Sequence, residues 1–458
     1  MSEDSNSEGI TDSMAVVVPG KTKMLYGMGA LGTQLFNGIQ AAATAWFWLE
    51  IMDLNALAYA IVMVVFYNIW NALNDPIFGW ISDRTRTRWG RRIPYIRFFT
   101  PIWLFCTIFL FFPFLSLSQI GLAIWLCVFI ILFDTCYTMV AGCYNSLMPE
   151  LSTITTERTR INQIAQLFAI IGVGASFIFP LLLKENVIGF FIFVIVGGTI
   201  AMLVLFIPSF FIRERVISYK ETPLGLISSL KYSIQNRAFM SFVGWNFMVQ
   251  FTTSIVIANI IFYATYVLRT DDLGSFLLFG ALIGTLLPGF ILSSYIGNKL
   301  GVKSTVLLST FIIATGLLVL FLSESYWMAC MSLAIAGFGL AGVQVYAYVM
   351  VGEATDYDEL KTHQRREAMF FGTNALFTKP AIGIAHGVLA WTLVFTGYDS
   401  DLAPELQLPS AVFGIRMLMG LFPSIALYIS LIFLYLYPNR KEVAEMKMQL
   451  AILHAQKE

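Results

Sequence analysis

Apolar runs of about 20 residues recur along the chain, each closed by a short polar or charged stretch. A run of that length is what an α-helix needs to cross the hydrocarbon core of a bilayer. The runs predict spans at about 24–49, within 68–92, and at 93–115, 121–147, 161–183 and 187–212. After a more polar interval they resume at about 239–268, 273–296, 305–323, 326–351, 368–395 and 411–437. A membrane β-barrel would instead show short alternating segments. The expected fold class is an all-α polytopic membrane protein with twelve transmembrane helices in two pseudo-symmetric six-helix bundles. The close of span 8, GNKLGVKS, weakly echoes the Gly–charge–Gly–basic pattern after span 2, as related halves would.

Polar residues inside the spans are few, so each one needs an account. Asn68, Asn71 and Asp75 are spaced by three and four residues and share one helical face. A carboxylate inside an apolar span costs roughly 2.5–3.5 kcal/mol on insertion scales and usually faces a polar interior. Asp75 therefore either contributes to a polar site, pairs with a basic partner, or caps a kink at Pro76. Asp134 lies near the middle of span 4, on a stripe with Tyr137, Thr138, Ala141 and Asn145. It must be protonated, paired with a cation such as Lys379 or Arg416, or open to a cavity. Gln34, Asn37 and Gln40 in span 1 either point inward or join helices by hydrogen bonds.

Charge refines this picture. Only 12% of residues are charged and 58% are hydrophobic, with a mean hydropathy of +0.75, whereas a soluble domain carries roughly 25% charged residues. Lys184 and Arg269 fall in loops assigned to the outside, and Lys379 and Arg416 fall within spans. Every other Lys and Arg lies in a segment assigned to the cytoplasm, as the positive-inside rule requires. The densest run follows span 2, with Asp83 among Arg84, Arg86, Arg88, Arg91 and Arg92. The arginines hug span ends and form no independent basic domain, so nucleic acid is not an expected partner. The five cysteines fall in spans and define no disulfide framework. The expected division is a disordered tail (1–20), a bundle (21–212), a linker with a short interfacial helix (213–236), a second bundle (237–437) and a tail (438–458). Both termini are expected in the cytoplasm, with the chain in the plasma membrane.

The stretch NDPIFGWISDRTRTRWGRRIPY resembles the helix II and loop 2–3 signature of the glycoside–pentoside–hexuronide:cation symporters, within the major facilitator superfamily. Gly79, Asp83, Arg84, Gly90, Arg91 and Arg92 match the superfamily's loop pattern, and Asp356, Tyr357, Glu359, Lys361, Arg365 and Glu367 resemble the family's X–XI loop. The resemblance covers about Tyr26 to Tyr437. It implies a secondary transporter for a small solute, working by alternating access and coupled to Na⁺ or H⁺.

Carried over residue by residue, the resemblance makes Asp75 the coupling acid, with Asn71 standing where the melibiose permease pattern has a second acid. No metal is implied beyond a Na⁺ at Asp75, and no other cofactor. The family's sugar-binding acids align with Gln34 and Ala141, its helix IV tryptophan with Asn145, and its helix XI lysine with Lys379. The galactoside clamp of the melibiose permease is therefore missing. Asp134 is the acid expected in its place, with Gln34, Tyr137, Asn145 and Lys379 around the substrate. Asp83, Arg84, Arg91, Arg92, Asp356 and Arg365 are expected to act in gating, the alternative being topology alone. The favoured substrate is a sugar or glycoside. The surrounding LFDT also resembles LFET of the family's lysophosphatidylcholine branch, so a lysophospholipid symporter is the alternative, beside an uncoupled uniporter or drug exporter. No HExxH, metal cluster or nucleophile motif occurs in the spans, so no enzyme is expected. The expected partners are a small-molecule substrate and the lipid bilayer, with no obligate protein partner.

Overall fold

A computed structural model describes residues 18–113, 117–152, 154–182, 187–214, 225–270, 272–399 and 402–457. Among them the regular structure is helical, apart from one isolated bridge between Thr87 and Gly90. Most of the expected first tail, and the expected outer loop with Lys184, lie outside the described residues.

The first six long helices are α1 (Gly20–Trp46), α2 (Asn68–Arg84), α3 (Ile93–Leu110), α4 (Gln119–Leu151), α5 (Thr155–Leu182) and α6 (Val187–Phe206). A short helix, α7 (Leu226–Gln235), lies in the linker, where an interfacial helix is expected. There follow α8 (Arg237–Phe262), α9 (Asp272–Gly284), α10 (Leu286–Leu300), α11 (Val302–Phe321), α12 (Tyr326–Thr362), α13 (Glu367–Phe395), α14 (Pro409–Arg416), α15 (Phe422–Leu436) and α16 (Arg440–Lys457). Nine described helices are long and apolar enough to cross a membrane. With α1, α5 and α13, of 27, 28 and 29 residues, they make up the twelve-helix arrangement.

Several expected boundaries move. Asp356 and Glu359 belong to helix α12, which runs on to Thr362, and not to a loop. The run from Gly352 to Thr362 contains no proline and no further glycine to stop it. Likewise α4 continues through Pro149 to Leu151. Span 8 is broken at Thr285 into α9 and α10, because Pro288 has no N–H to offer the carbonyl of Gly284. Span 2 starts earlier than expected, at Leu57, and it and spans 7 and 12 each contain a π-helical turn, at Ile61–Tyr67, Tyr263–Val267 and Met417–Leu421.

The chain forms two compact units, Met1–Lys231 with Thr362–Leu376, and Tyr232–Lys361 with Phe377–Glu458. Helix α13 passes from one to the other at Leu376, just before Lys379 and Pro380. The core of the first unit is aromatic: Phe36 stacks on Trp103 at 4.3 Å, and Phe47 meets Phe111 and Phe190 edge-on and stacked. In the second unit α8 packs on α15, and Trp245 donates to Thr310 at 3.0 Å. Both units turn large apolar side chains outward, including Ile120, Ile188 and Trp327, as lipid contact demands.

Candidate functional site

Helix α2 is the pivot of the first unit. Its Pro76 removes one backbone donor in mid-helix. Just there its backbone is approached by the first turns of α13. A Cβ on Gly372 would lie 2.4 Å from the carbonyl oxygen of Asp75, and one on Gly79 would lie 2.5 Å from that of Ala368. Only glycine allows the two helices to come this close.

Toward α4, three side-chain pairs link the helices. Trp70 Nε1 donates to Thr135 Oγ1 at 3.0 Å, Asn74 Nδ2 to Asp134 Oδ2 at 2.5 Å, and Thr138 Oγ1 to Asp75 Oδ1 at 2.7 Å. Positions 70 and 74, and 134 and 138, are each one helical turn apart, so the pairs stack along the two helices. Tyr67 lies within reach of Asp134, Asp75 and Tyr137. Asp134 and Asn74 are buried and Asp75 half-buried. The Oδ1 of Asn74 is buried with no hydrogen-bond partner among the described residues. Two carboxylates, a threonine hydroxyl and an unsatisfied amide oxygen make an oxygen-rich set of the kind hard cations prefer.

The structure thus brings Asp75, Asp134 and Tyr137 together, but the amide that reaches Asp134 is Asn74, which lies off the expected stripe. Positions 74 and 75 point about 100° apart on the helix, and both reach α4. Tyr137 packs edge-on against Trp103 at 5.8 Å. Gln34 lies against α5, where a Cβ on Gly172 would sit 3.1 Å from its own. Asn145 lies about 16 Å farther along α4 than Asp134, at ~1.5 Å per residue. Lys379 belongs to the second unit.

At the arginine-bearing end of α2 a second polar cluster is built mainly of charges. Arg91 meets Glu150 at 2.8 Å and Glu367 at 3.3 Å. Arg92, wholly buried, meets Asp83, Glu150 at 3.2 Å, Glu367 at 3.3 Å and the Ser82 hydroxyl at 2.7 Å. Arg365 pairs with Glu367 and donates to the carbonyl of Pro149 at 3.0 Å. Asp83 also accepts from the backbone N–H groups of Ala368 and Met369, at 3.3 and 2.7 Å, so it caps the positive end of α13. Glu214 accepts from three consecutive N–H groups, those of Arg91, Arg92 and Ile93, at 2.6, 2.7 and 2.6 Å. That cradle needs Gly90, at φ +108°, where any Cβ would strike the carboxylate.

Burial alone would raise the Glu367 carboxyl, but Arg365, Arg91 and Arg92 outweigh it and hold it at about 2. Burial acts to lower the Arg91 and Arg92 guanidiniums, and the surrounding carboxylates overcome it and raise both. Arg91, Arg92 and Glu367 are therefore charged, whereas burial, against the pull of Arg91 and Arg92, pushes the Glu150 carboxyl up to about 7.

Of the residues expected to gate, Asp83, Arg91, Arg92 and Arg365 meet here. Arg84 stacks on the Trp80 ring at 4.3 Å. Asp356 is buried in the second unit, on the stretch of α12 where Glu353 accepts from Tyr437 and Glu359 pairs with His454. Glu150, Glu214 and Glu367 are not among the residues expected to gate, yet they supply carboxylates here. Their signal was a glutamate at the end of an apolar run in a chain poor in charge.

The profile of the family described as MFS/sugar transport protein matches residues 25–441. An uncharacterized symporter of Synechocystis is 26% identical over 92% of this chain and 94% of its own. A glucuronide carrier protein homolog of Escherichia coli is 25% identical over 91% and 92%. Among solved structures, the fucose:proton symporter of E. coli superposes with a TM-score of 0.67 at 11% identity, over 92% of this chain and 98% of that one.

Proposed function

The chain belongs to the MFS/sugar transport protein family, and on that premise we propose that it is a cation-coupled symporter of a sugar or glycoside. The family and the fold are those of membrane transporters, not enzymes. Relatives named as a symporter and a glucuronide carrier homolog support the substrate class. The observation that carries the coupling is the α2–α4 cluster, with its two acids and the unsatisfied oxygen of Asn74.

In this reading a Na⁺ or a proton occupies the cluster, with Asp75 as the principal acid. Two carboxylates on facing turns repel each other in a medium of low dielectric, and a cation between them removes that repulsion. Asp134, expected from the sequence to accept a substrate hydroxyl, is assigned to the cation together with Asp75, because Asn74 holds it beside that residue. Asn71 lies one turn from Asp75 as a further oxygen donor. Gln34, Tyr137, Asn145 and Lys379 remain the proposed substrate contacts.

The charged cluster acts as the gate. It fastens the first turn of α13 to α2, α3 and α4, and it must open for the two halves to rock about the central site. The arginines favour placing their end of α2, and with it both termini, in the cytoplasm, and in this reading the protein works in the plasma membrane.

Uptake of radiolabelled sugars by proteoliposomes, driven by a Na⁺ gradient or a pH gradient, tests the reading. Accumulation above equilibrium under one of the two gradients is expected. Equilibration without accumulation for every sugar under both would leave a uniporter. Accumulation of a lysophospholipid alone would move the protein to that branch.

A further inference from the structure

Not every arginine that follows α2 is spent on a carboxylate. Arg91 and Arg92 are, but Arg88 and Arg97 rest on aromatic rings. The guanidinium of Arg88 lies 4.9 Å from the centre of the Trp89 ring, and that of Arg97 lies 5.1 Å from it. Arg97 also covers the Phe210 ring at 4.3 Å, and Lys21 covers that of Phe211 at 5.6 Å. All of these residues belong to the first unit. Arg97 donates to the carbonyl of Ser209 at 2.7 Å and to its hydroxyl at 3.4 Å, both neutral. Among the described residues, none of the three cations meets a carboxylate. Glu214, the acid of this neighbourhood, is taken up by the N–H groups of Arg91, Arg92 and Ile93. Because they share one ring, the two guanidiniums are no farther apart than one screening length, about 10 Å at 0.1 M salt, and they repel each other. An anion between them removes that repulsion.

The place of the patch decides the kind of anion. Two membrane spans end there, one beginning at Ile93 and the other closing at Phe210. Trp89, Phe210 and Phe211 are exposed, and aromatic rings beside basic residues mark headgroup depth. Farther into the bilayer, α3 and α6 pack together. Each turns apolar side chains outward one helical turn apart, Phe98 and Ile102 on α3 and Leu203 and Ile207 on α6. A lipid whose headgroup sits on the patch lays its acyl chains along these side chains.

We propose that Arg88, Arg97 and Lys21 bind the headgroup of an anionic phospholipid in the leaflet that the arginines face. Arg88 and Arg97 donate to the phosphate oxygens while their faces rest on rings. A zwitterionic headgroup would bring its own ammonium among three cations and is disfavoured. The bound lipid joins the start of α1, the loop after α2, the start of α3 and the residues that close α6. Basic residues beside spans collect anionic lipids through charge alone, whereas here the ring contacts hold two guanidiniums in place. The site does not depend on what solute is carried.

Melting of the purified full-length protein in detergent tests it, with dioctanoyl phosphatidylglycerol, dioctanoyl phosphatidylcholine and inorganic phosphate as probes. Saturating phosphatidylglycerol should raise the melting temperature by about 3 °C or more, and phosphatidylcholine by less than about 1 °C. Arg88 is exposed and its side chain rests on the Trp89 ring alone, so Arg88→Gln should melt like the parent without lipid. The variant should need about 10-fold more phosphatidylglycerol for half of the response, having lost one charge-assisted contact. Arg88→Gln with Lys21→Gln should abolish the response. Lys441→Gln, which removes an equal charge from exposed α16, should leave it at the parental level. Equal effects of the two lipids, or inorganic phosphate acting as well as phosphatidylglycerol, would overturn the lipid site. So would an Arg88→Gln protein that responds like the parent, or a Lys441→Gln protein weakened as much as Arg88→Gln.

Discussion

The α2–α4 cluster and the arginine cluster lie on the same helix, and both bury polar groups, yet they are built on opposite plans. Around Asp75 and Asp134 two neutral donors, Asn74 and Thr138, each supply a hydrogen bond, and the buried Asn74 Oδ1 has no partner among the described residues. Around Arg91, Arg92 and Arg365 the carboxylates of Glu150, Glu367 and Asp83 each receive more than one donor. An incomplete set of partners is what a site awaiting an ion needs, because a buried polar atom without a partner costs about 1–3 kcal/mol and a ligand can remove that cost. A complete set suits a fastening, which must hold without a ligand and yield as a unit. In the proposed reading, the orphaned Asn74 oxygen in one place and the shared carboxylates in the other divide ion binding from fastening along α2.

The sharpest way to break this contrast is Asp75→Asn. It should abolish accumulation above equilibrium while sparing expression and substrate exchange, as read by gradient-driven uptake against counterflow in proteoliposomes. Concentrative uptake at the parental level would remove Asp75 from coupling.

Next in size is Glu367→Gln, which leaves buried arginines without their shared carboxylate and should cost about 3–5 kcal/mol, measured as loss of melting temperature. The pH dependence has a defined sign. Glu367 is held at about 2 when folded, against the ordinary 4.5, so its contribution is fully present above 4.5 and is lost as pH falls toward 2. The parental protein should therefore lose stability over that acidic window, and the Gln variant should lose less. Identical acid profiles for the two proteins would show that Glu367 is not held by the arginines.

Gly372→Val tests whether the close approach of α13 to α2 is required by both clusters. A side chain 2.4 Å from the Asp75 carbonyl must displace one helix, at about 1–3 kcal/mol by the cost of overpacking. It should lower both melting temperature and turnover, and a variant with parental values of both would separate the two regions. The smallest effect belongs to Thr138→Val, which deletes one hydrogen bond to Asp75 and should weaken cation affinity about 5-fold, near 1 kcal/mol, with the substrate KM unchanged at saturating cation. A shift in KM alone would place Thr138 with the substrate instead.

The sequence by itself determined the membrane architecture, because helix length and hydropathy are local and a 20-residue apolar run has few other fates. It also singled out Asp75, Asp134 and the Arg84–Arg92 run, since charge is costly inside a span and orienting at its end. Partnership was decided only in three dimensions. Asn74 meets Asp134 across 60 positions, and Arg92 meets Glu367 across 275. Periodicity places a residue on a face to within a turn, but adjacent positions 74 and 75 differ by about 100°, and only the packing of α2 on α4 shows that both engage. The same holds for Glu150, Glu214 and Glu367. Each is an isolated glutamate in the chain, and each acquires its role when glycine contacts bring α13 against α2 and the residues after α6 fold back on the start of α3.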